Sequence, residues 1–263
     1  MTYLNKSVIV IDNSDISYSG EDIDGTVVRG TEASLILLSE QFVKMGISVD
    51  YCNSIQKKSQ VNGVNYFNKN EIIKNKQYDL AIVISDANEF KRVSSVRKAV
   101  FSNSNQPIEK FIRKKQLFPF LKYKPTLITL CDYQYKKRSF FTSFYGKKTI
   151  PITVDPKFLD IEIDQNFLPE KKVVYNIRSN RNLDRLIKIW CDKIFPFNND
   201  FKLYITPNLI DYKDFHKKNN IFLRTIGSRS EMIDEMKNYR ALTYLGHKSD
   251  IFTLTAEEAI KMC

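Results

Sequence analysis

The chain has 263 residues, with 41 Lys and Arg against 30 Asp and Glu, a net charge of +11 and a pI of 9.3. At 43% hydrophobic and 27% charged residues it has the balance of a folded protein long enough for two medium domains, which excludes wholesale disorder and fibrous repeats. Cys52, Cys131, Cys191 and Cys263 are scattered singly and His216 and His247 lack a second ligand at zinc spacing, so neither a disulfide framework nor a structural zinc is expected.

The first half alternates strand-like and helix-like runs. Val8 to Ile11 is a short β-branched strand that reaches Asp12 too soon for a signal-peptide core. Leu35, Leu38, Phe42 and Met45 then recur at helical spacing before Gly46. Ser48 to Cys52 reads as a second strand, and Leu80 to Ile84 as one buried on both faces of a parallel sheet. Thr126 to Leu130 and Thr149 to Val154 are further strands. From Asp155 to Lys172 the pattern weakens around Pro156 and Pro169, the best linker. The alternation restarts with strand Val173 to Ile177, helix Leu183 to Phe195, and strands Lys202 to Thr206 and Ile221 to Thr225. A helix from Ser230 to Tyr239, strand Ala241 to Leu245 and a last helix from about Thr255 complete it. Leu183, Leu186, Ile187, Trp190 and Ile194 form one stripe, read as core. No apolar run approaches the ~18–20 residues that cross a bilayer. Strand and helix in turn predict βαβ units in two Rossmann-like domains, with ligands beyond the carboxyl ends of the strands.

Three stretches fall at such ends. Val28 to Ser34 carries a turn at Gly30 and Thr31 that opens the first long helix, with Glu32 in its first turn. Val174 to Leu183 ends a strand and places Arg178 and Arg181 before a helix, where two guanidinium groups suit a diphosphate. Tyr244 to Ala259 leads from a strand into a helix. Its Asp250 and Glu258 can accept hydrogen bonds from sugar hydroxyls, and the backbone N–H groups near Thr253 and Leu254 can meet a phosphate. Each stretch has a plainer reading, respectively a capped helix start, two solvated arginines, and a helix entry with acids in its solvated first turn.

Taken in order, the three stretches resemble the retaining GT-B glycosyltransferases of family 4. That family carries a Gly-Gly-x-Glu turn, paired basic residues opening the second domain, and a Glu-x7-Glu motif. Here Arg29-Gly30-Thr31-Glu32, Arg178 with Arg181, and Asp250-x7-Glu258 stand in those places. The resemblance implies an α/β GT-B fold of two Rossmann-like domains facing a cleft: an acceptor-side domain over 1–155, a linker over 156–172 and a donor domain over 173–263. It implies that Glu258 binds the donor ribose, that Arg178 and Arg181 neutralise the diphosphate, and that Gly30 and Thr31 approach it from the other domain. Asp250 would contact the transferred sugar, the turn at Gly227 would lie near the nucleotide base, and Asp132 would sit beside the reacting sugar. Arg29 replaces the family's first Gly, Asp250 its Glu, and Cys131 the His that often precedes Asp132. The sequence ends at Cys263, inside the helix after the third motif, where relatives continue, so an incomplete second domain is expected.

The function so implied is transfer of a sugar, with retention, from a nucleotide-sugar to a glycan or lipid-linked acceptor, without a metal or other cofactor. The alternative is a nucleotide- or sugar-binding module without turnover. Between Glu89 and Lys148 stand 15 Lys or Arg and three acids, a surplus of 12 that accounts for the whole net charge. Its basic, aromatic-bearing stretches, Lys110 to Lys115 and Tyr133 to Phe141, suit an anionic acceptor or membrane surface, or less well a nucleic acid, for which no recognised motif is present. A cytoplasmic protein, peripheral at the inner face of the membrane, is the expectation.

Overall fold

The computed structural model describes residues 5–25, 28, 30–71, 76–104, 107–136, 145–151, 154–159, 161, 166–177, 181–205, 219–224, 227–247, 256 and 259–260. The chain divides into two compact units, Met1–Ile23 with Val27–Thr153, and Asp24–Thr26 with Val154–Cys263.

The first unit runs β1 (Ser7–Ile11), α1 (Gly30–Lys44), β2 (Ser48–Asn53), β3 (Ser59–Val61), β4 (Val64–Asn68), β5 (Gln77–Ile84) and β6 (Ser94–Phe101). There follow α2 (Ile108–Arg113), α3 (Leu117–Tyr123), β7 (Thr126–Thr129), α4 (Asp132–Lys136) and β8 (Lys147–Thr149). The strands form one sheet in the order β3-β4-β2-β1-β5-β6-β7-β8. Only the β3–β4 pair is antiparallel. Val8 to Ile11 are buried because β1 is central, its Val8 in register with Val49 of β2 on one side and Leu80 of β5 on the other.

Apolar runs do not reveal every strand of this sheet. β3 and β4 are joined by Asn62 and Gly63, both at positive φ (49° and 80°), the backbone of a tight hairpin. A Cβ at Gly63 would fall 2.6 Å from Val43 Cγ1, so helix α1 also demands glycine there. β6 leaves Ser94, Val96 and Arg97 exposed and buries Ser95 and its last three residues, Ala99 to Phe101. The strand expected at Thr149 to Val154 lies earlier, at Lys147–Thr149. Its side chains are all exposed, and a sheet edge accommodates lysines that a central strand would not.

The second unit comprises β9 (Lys172–Tyr175), α5 (Leu183–Ile189), α6 (Phe195–Phe197), β10 (Lys202–Ile205), β11 (Ile221–Leu223), α7 (Arg229–Met236) and β12 (Ala241–Leu242). Its four strands pair in parallel in the order β11-β10-β9-β12. A wider π-helical turn, Trp190–Ile194, joins α5 to α6. Pro196 follows directly, and a residue without an N–H cannot continue the ordinary ladder. Leu183, Leu186, Ile187 and Trp190 are buried against Val173, Tyr175, Leu203 and Ile221, and the indole N–H donates to the Asn219 carbonyl at 2.8 Å. The expected core stripe, with its lone Trp, is thus the core. Within 156–172, Phe158 is fully buried against Ile233 and Met236 of α7.

Candidate functional site

At the carboxyl end of β9, in the middle of the second sheet, the chain turns before α5. The Tyr175 hydroxyl donates to the Arg181 carbonyl at 2.7 Å, which fixes the backbone of that turn. Asn182 follows at φ 65°, and its amide donates to the Gly246 carbonyl in the loop after β12. The Arg181 guanidinium meets His247 of that loop, Nη1 to Nδ1 at 2.8 Å. Two parallel neighbours, β9 and β12, are thereby joined just past their ends by consecutive residues on each side. Arg178, Asp250, Thr253, Leu254 and Glu258 lie outside the described residues.

Two further arginines surround the same sheet ends. Arg224, directly after β11, is almost wholly buried. Its Nε is 3.0 Å from both Glu235 carboxylate oxygens, and its Nη1 donates to Asn176 Oδ1 at 2.5 Å. Burial alone would raise the Glu235 carboxyl, but Arg224 and the Tyr239 hydroxyl outweigh it and hold the group below the usual carboxylate range. Arg229 pairs with Asp155 at 2.9 Å over the face of Phe158, tying residues 155–158 to α7. Gly227, expected beside a nucleotide base, immediately precedes a capping box. Ser228 Oγ accepts from the Glu231 N–H at 3.2 Å, and Glu231 Oε2 accepts from the Ser228 N–H at 2.6 Å. A side chain at Gly227 would collide with that carboxylate.

In the first unit the strand order reverses between β1 and β5, the place where open parallel sheets hold ligands. Asp12, directly after β1, accepts from the Tyr18 hydroxyl at 2.6 Å and from the Ser14 N–H and hydroxyl, both at 2.9 Å. The Tyr18 and Tyr51 hydroxyls are 2.7 Å apart, and both rings are buried. Burial above all, then the neighbouring charge of Asp12, keeps both phenols protonated far above their ordinary range. After β5, the buried Glu89 pairs with Arg92 at 2.8 Å and accepts from Asn13 at 3.3 Å. Sequence reasoning missed Asp12, Tyr18, Tyr51 and Glu89. The one available signal was Asp12, an acid directly ending a buried strand.

Gly30 and Thr31 open α1 as expected, with the Gly30 carbonyl accepting from Ser34 Oγ at 2.7 Å, whereas Arg29 is outside the described residues. Asp132 opens α4 after β7, where Gln134 accepts from the Leu130 N–H and donates to the Ser102 carbonyl. α1 packs over β2 and β4, whereas β7 lies on the other side of β1, three strands or about 14 Å away.

The basic segment takes shape in α2 and α3. Each buries one aromatic, Phe111 and Phe120, whose rings meet at 4.9 Å. Each also exposes apolar side chains on its outer arc: Ile112 (62% exposed) on α2, and Leu117, Phe118 (71%) and Leu121 (51%) on α3. Lys110, Arg113, Lys114, Lys115, Lys122 and Lys124 flank them against the single acid Glu109. Burial, with the charges of Lys114 and Arg113, lowers the affinity of Lys110 for its proton. Among the described residues no helix is long and apolar enough to cross a membrane, and no group of three or more His, Cys, Asp or Glu could share a metal ion. A cavity of about 550 Å³ at the β3–β4–β2 edge of the first sheet is lined by polar groups that already answer one another, Gln60 to Asn65 and Asn65 to Asp50.

No family model matches the sequence, and no curated protein matches it. Solved structures do resemble it. A sucrose-phosphate synthase (tll1590) from Thermosynechococcus elongatus superposes with a TM-score of 0.69 at 10% identity, covering 97% of this chain and 79% of its own. The apo structure of OtsA gives 0.62 at 9% identity, with 98% and 82% covered. A glycosyltransferase from Rickettsia africae ESF-5 gives 0.64 at 10% identity, with 98% and 78% covered. At such identity the likeness speaks for architecture, and the architecture is the α/β fold of GT-B glycosyltransferases.

Proposed function

We propose that the chain is a retaining glycosyltransferase of family 4 that moves a sugar from a nucleotide-sugar donor to a glycan or lipid-linked acceptor. The observation that carries this reading is Arg181, held by His247 and Tyr175 at the carboxyl end of the second sheet, in a fold shared with a glycosyltransferase. A guanidinium there, together with Arg178, would stabilise the charge that grows on a diphosphate leaving group as the glycosidic bond breaks, without a metal or other cofactor. In this reading Glu258 accepts from the ribose and Asp250 contacts the transferred sugar. The backbone at Thr253 and Leu254 meets phosphate, and the turn at Gly227 lies near the base. Gly30, Thr31 and Asp132 belong to the first unit's share of the site. Retention would follow from attack on the face that the leaving group departs from.

Calorimetric titration with UDP, GDP and ADP tests donor binding. One of them is expected to bind, with affinity falling about 10- to 100-fold in Arg181→Ala, the worth of a charge-assisted hydrogen-bonded pair. Binding by none, or binding indifferent to the substitution, would overturn the reading. Nucleotide binding with neither donor hydrolysis nor transfer would make the chain a binding module.

For the acceptor side, the exposed apolar arc of α2 and α3 with its lysines favours an anionic lipid surface at the cytoplasmic face of a membrane. Sedimentation with vesicles should show binding when anionic lipid is present, lost in an Ile112→Ser, Phe118→Ser double variant. Equal indifference to anionic and neutral vesicles at low salt would refute it.

A further inference from the structure

We infer that His247 is a positioning residue that holds Arg181 ready for a diphosphate, and that it does so only as neutral imidazole. The inference rests on the donor-binding reading of Arg181. A guanidinium only donates hydrogen bonds and stays protonated throughout the working pH range, so at 2.8 Å from its Nη1 the His247 Nδ1 must present a lone pair. The proton of the neutral ring then lies on Nε2. Imidazolium has no acceptor at Nδ1 and would set a second cation against the guanidinium.

The surrounding geometry makes this more than a chance contact. Arg181 is fixed at its backbone by the Tyr175 hydroxyl, and the next residue, Asn182, donates to the carbonyl of Gly246, the residue before His247. Gly246 itself stands at φ 67°, a backbone most side chains avoid, so glycine sets the path by which the loop delivers the ring. Backbone, amide and guanidinium thus interlock residue by residue across the ends of β9 and β12. A long arginine side chain loses several rotors on binding an anion, and a partner that fixes it beforehand lowers that cost. An imidazole suits the task because, as a neutral acceptor, it adds no negative charge to oppose the phosphate, as a carboxylate would. Among the described residues, the ionisable groups on the elements beside this loop include Lys172 and Tyr175 of β9, Arg181 in the turn, Asp184 and Arg185 at the start of α5, and Tyr244 in the loop itself. Lys248 and Asp250 follow outside the described residues.

Two measurements on the full chain test the inference. The first is imidazole ¹⁵N NMR, which needs no ligand. The chain has only two histidines, so a His216→Gln variant isolates the His247 signals. At pH 8 the expected spectrum is a single neutral tautomer protonated at Nε2, and in Arg181→Ala it becomes a mixture of tautomers. A Nδ1-protonated ring, or a spectrum unmoved by Arg181→Ala, overturns the inference whatever the protein binds.

The second is the dissociation constant of whichever of UDP, GDP and ADP binds, at pH 8. His247→Ala, checked for an unchanged circular dichroism spectrum, should weaken binding about 5- to 20-fold at pH 8. His247→Gln, whose amide oxygen accepts without titrating, should restore most of that loss. No loss in His247→Ala, or no recovery in His247→Gln, would show that the ring does not act as an acceptor for Arg181. Should no nucleotide bind the wild type while the NMR result holds, the donor reading fails and the positioning contact stands.

Discussion

The carboxyl ends of the two parallel sheets differ in charge. Past the strands of the first lie acids: Asp12 after β1, Asp86 and Glu89 after β5, and Asp132 after β7. Past those of the second lie Arg181 beside His247, and Arg224 and Arg229 paired with Glu235 and Asp155. The first sheet fixes its acid with buried phenols, Tyr18 and Tyr51, while the second fixes its cations with acceptors on neighbouring loops and helices. In the proposed reading this difference places the diphosphate at the second sheet, at Arg181, whose partner there is an imidazole and not a carboxylate. The lysines and arginine around α2 and α3 in the first unit, Lys110, Arg113, Lys114, Lys115, Lys122 and Lys124, lie on or beside those helices and not at these strand ends.

The most damaging way to break the comparison is in the second core. That unit has a four-stranded sheet and places its largest buried side chain, Trp190, against three of its strands. Trp190→Ala should cost about 3–5 kcal/mol in urea unfolding. If the units are energetically separate, the loss appears in a transition that leaves the near-ultraviolet signal of buried Tyr18 and Tyr51 in place. Arg181→Ala comes next. It should weaken nucleotide binding about 10- to 100-fold, some 1.5–3 kcal/mol, with little change in unfolding. Tyr18→Phe probes the opposite end of the comparison. It removes the hydroxyl shared by Asp12 and Tyr51 and should destabilise the first unit by about 1–3 kcal/mol, leaving nucleotide affinity in the second unchanged.

The smallest effect concerns acid. Burial would raise the Asp50 carboxyl, yet hydrogen bonds from Lys76, Tyr78 and Asn65 hold it below the usual range. A carboxyl more acidic when folded contributes stability above its unfolded pKa of about 4 and loses it as pH falls through the folded value. Asp50→Asn should therefore be less stable than wild type by about 1 kcal/mol at pH 7, with the gap closing as pH falls through the folded value, below the unfolded one. A pH-independent gap would mean that the cost is packing alone.

How much of this was legible beforehand depended on the physics behind each element. Val8 to Ile11 and Leu80 to Ile84 announced themselves because strands buried on both faces must be apolar throughout. The stripe through Trp190 did so because a helix packed on a sheet repeats every three to four residues. β6 did not, because Arg97 and Lys98 interrupt it, and its one continuous buried run is its last three residues. The β3–β4 hairpin is carried by turn chemistry at Asn62 and Gly63, with hardly any apolar signal. At the site, Arg181 was visible as a cation after a strand. Its partner His247 was not, because the two stand 66 positions apart and meet only when β12 returns beside β9. The Asp12, Tyr18 and Tyr51 network stayed hidden because the chain has 14 tyrosines and only the fold brings two of them to Asp12.

The central claim is that the cationic ends of the second sheet bind the diphosphate of a nucleotide-sugar. Isothermal titration of the wild type and of Arg181→Ala with UDP, GDP and ADP tests it most directly. The account predicts saturable binding of at least one nucleotide to the wild type, weakened at least tenfold by the substitution. Equal affinity in both proteins, or heat from neither, would contradict it.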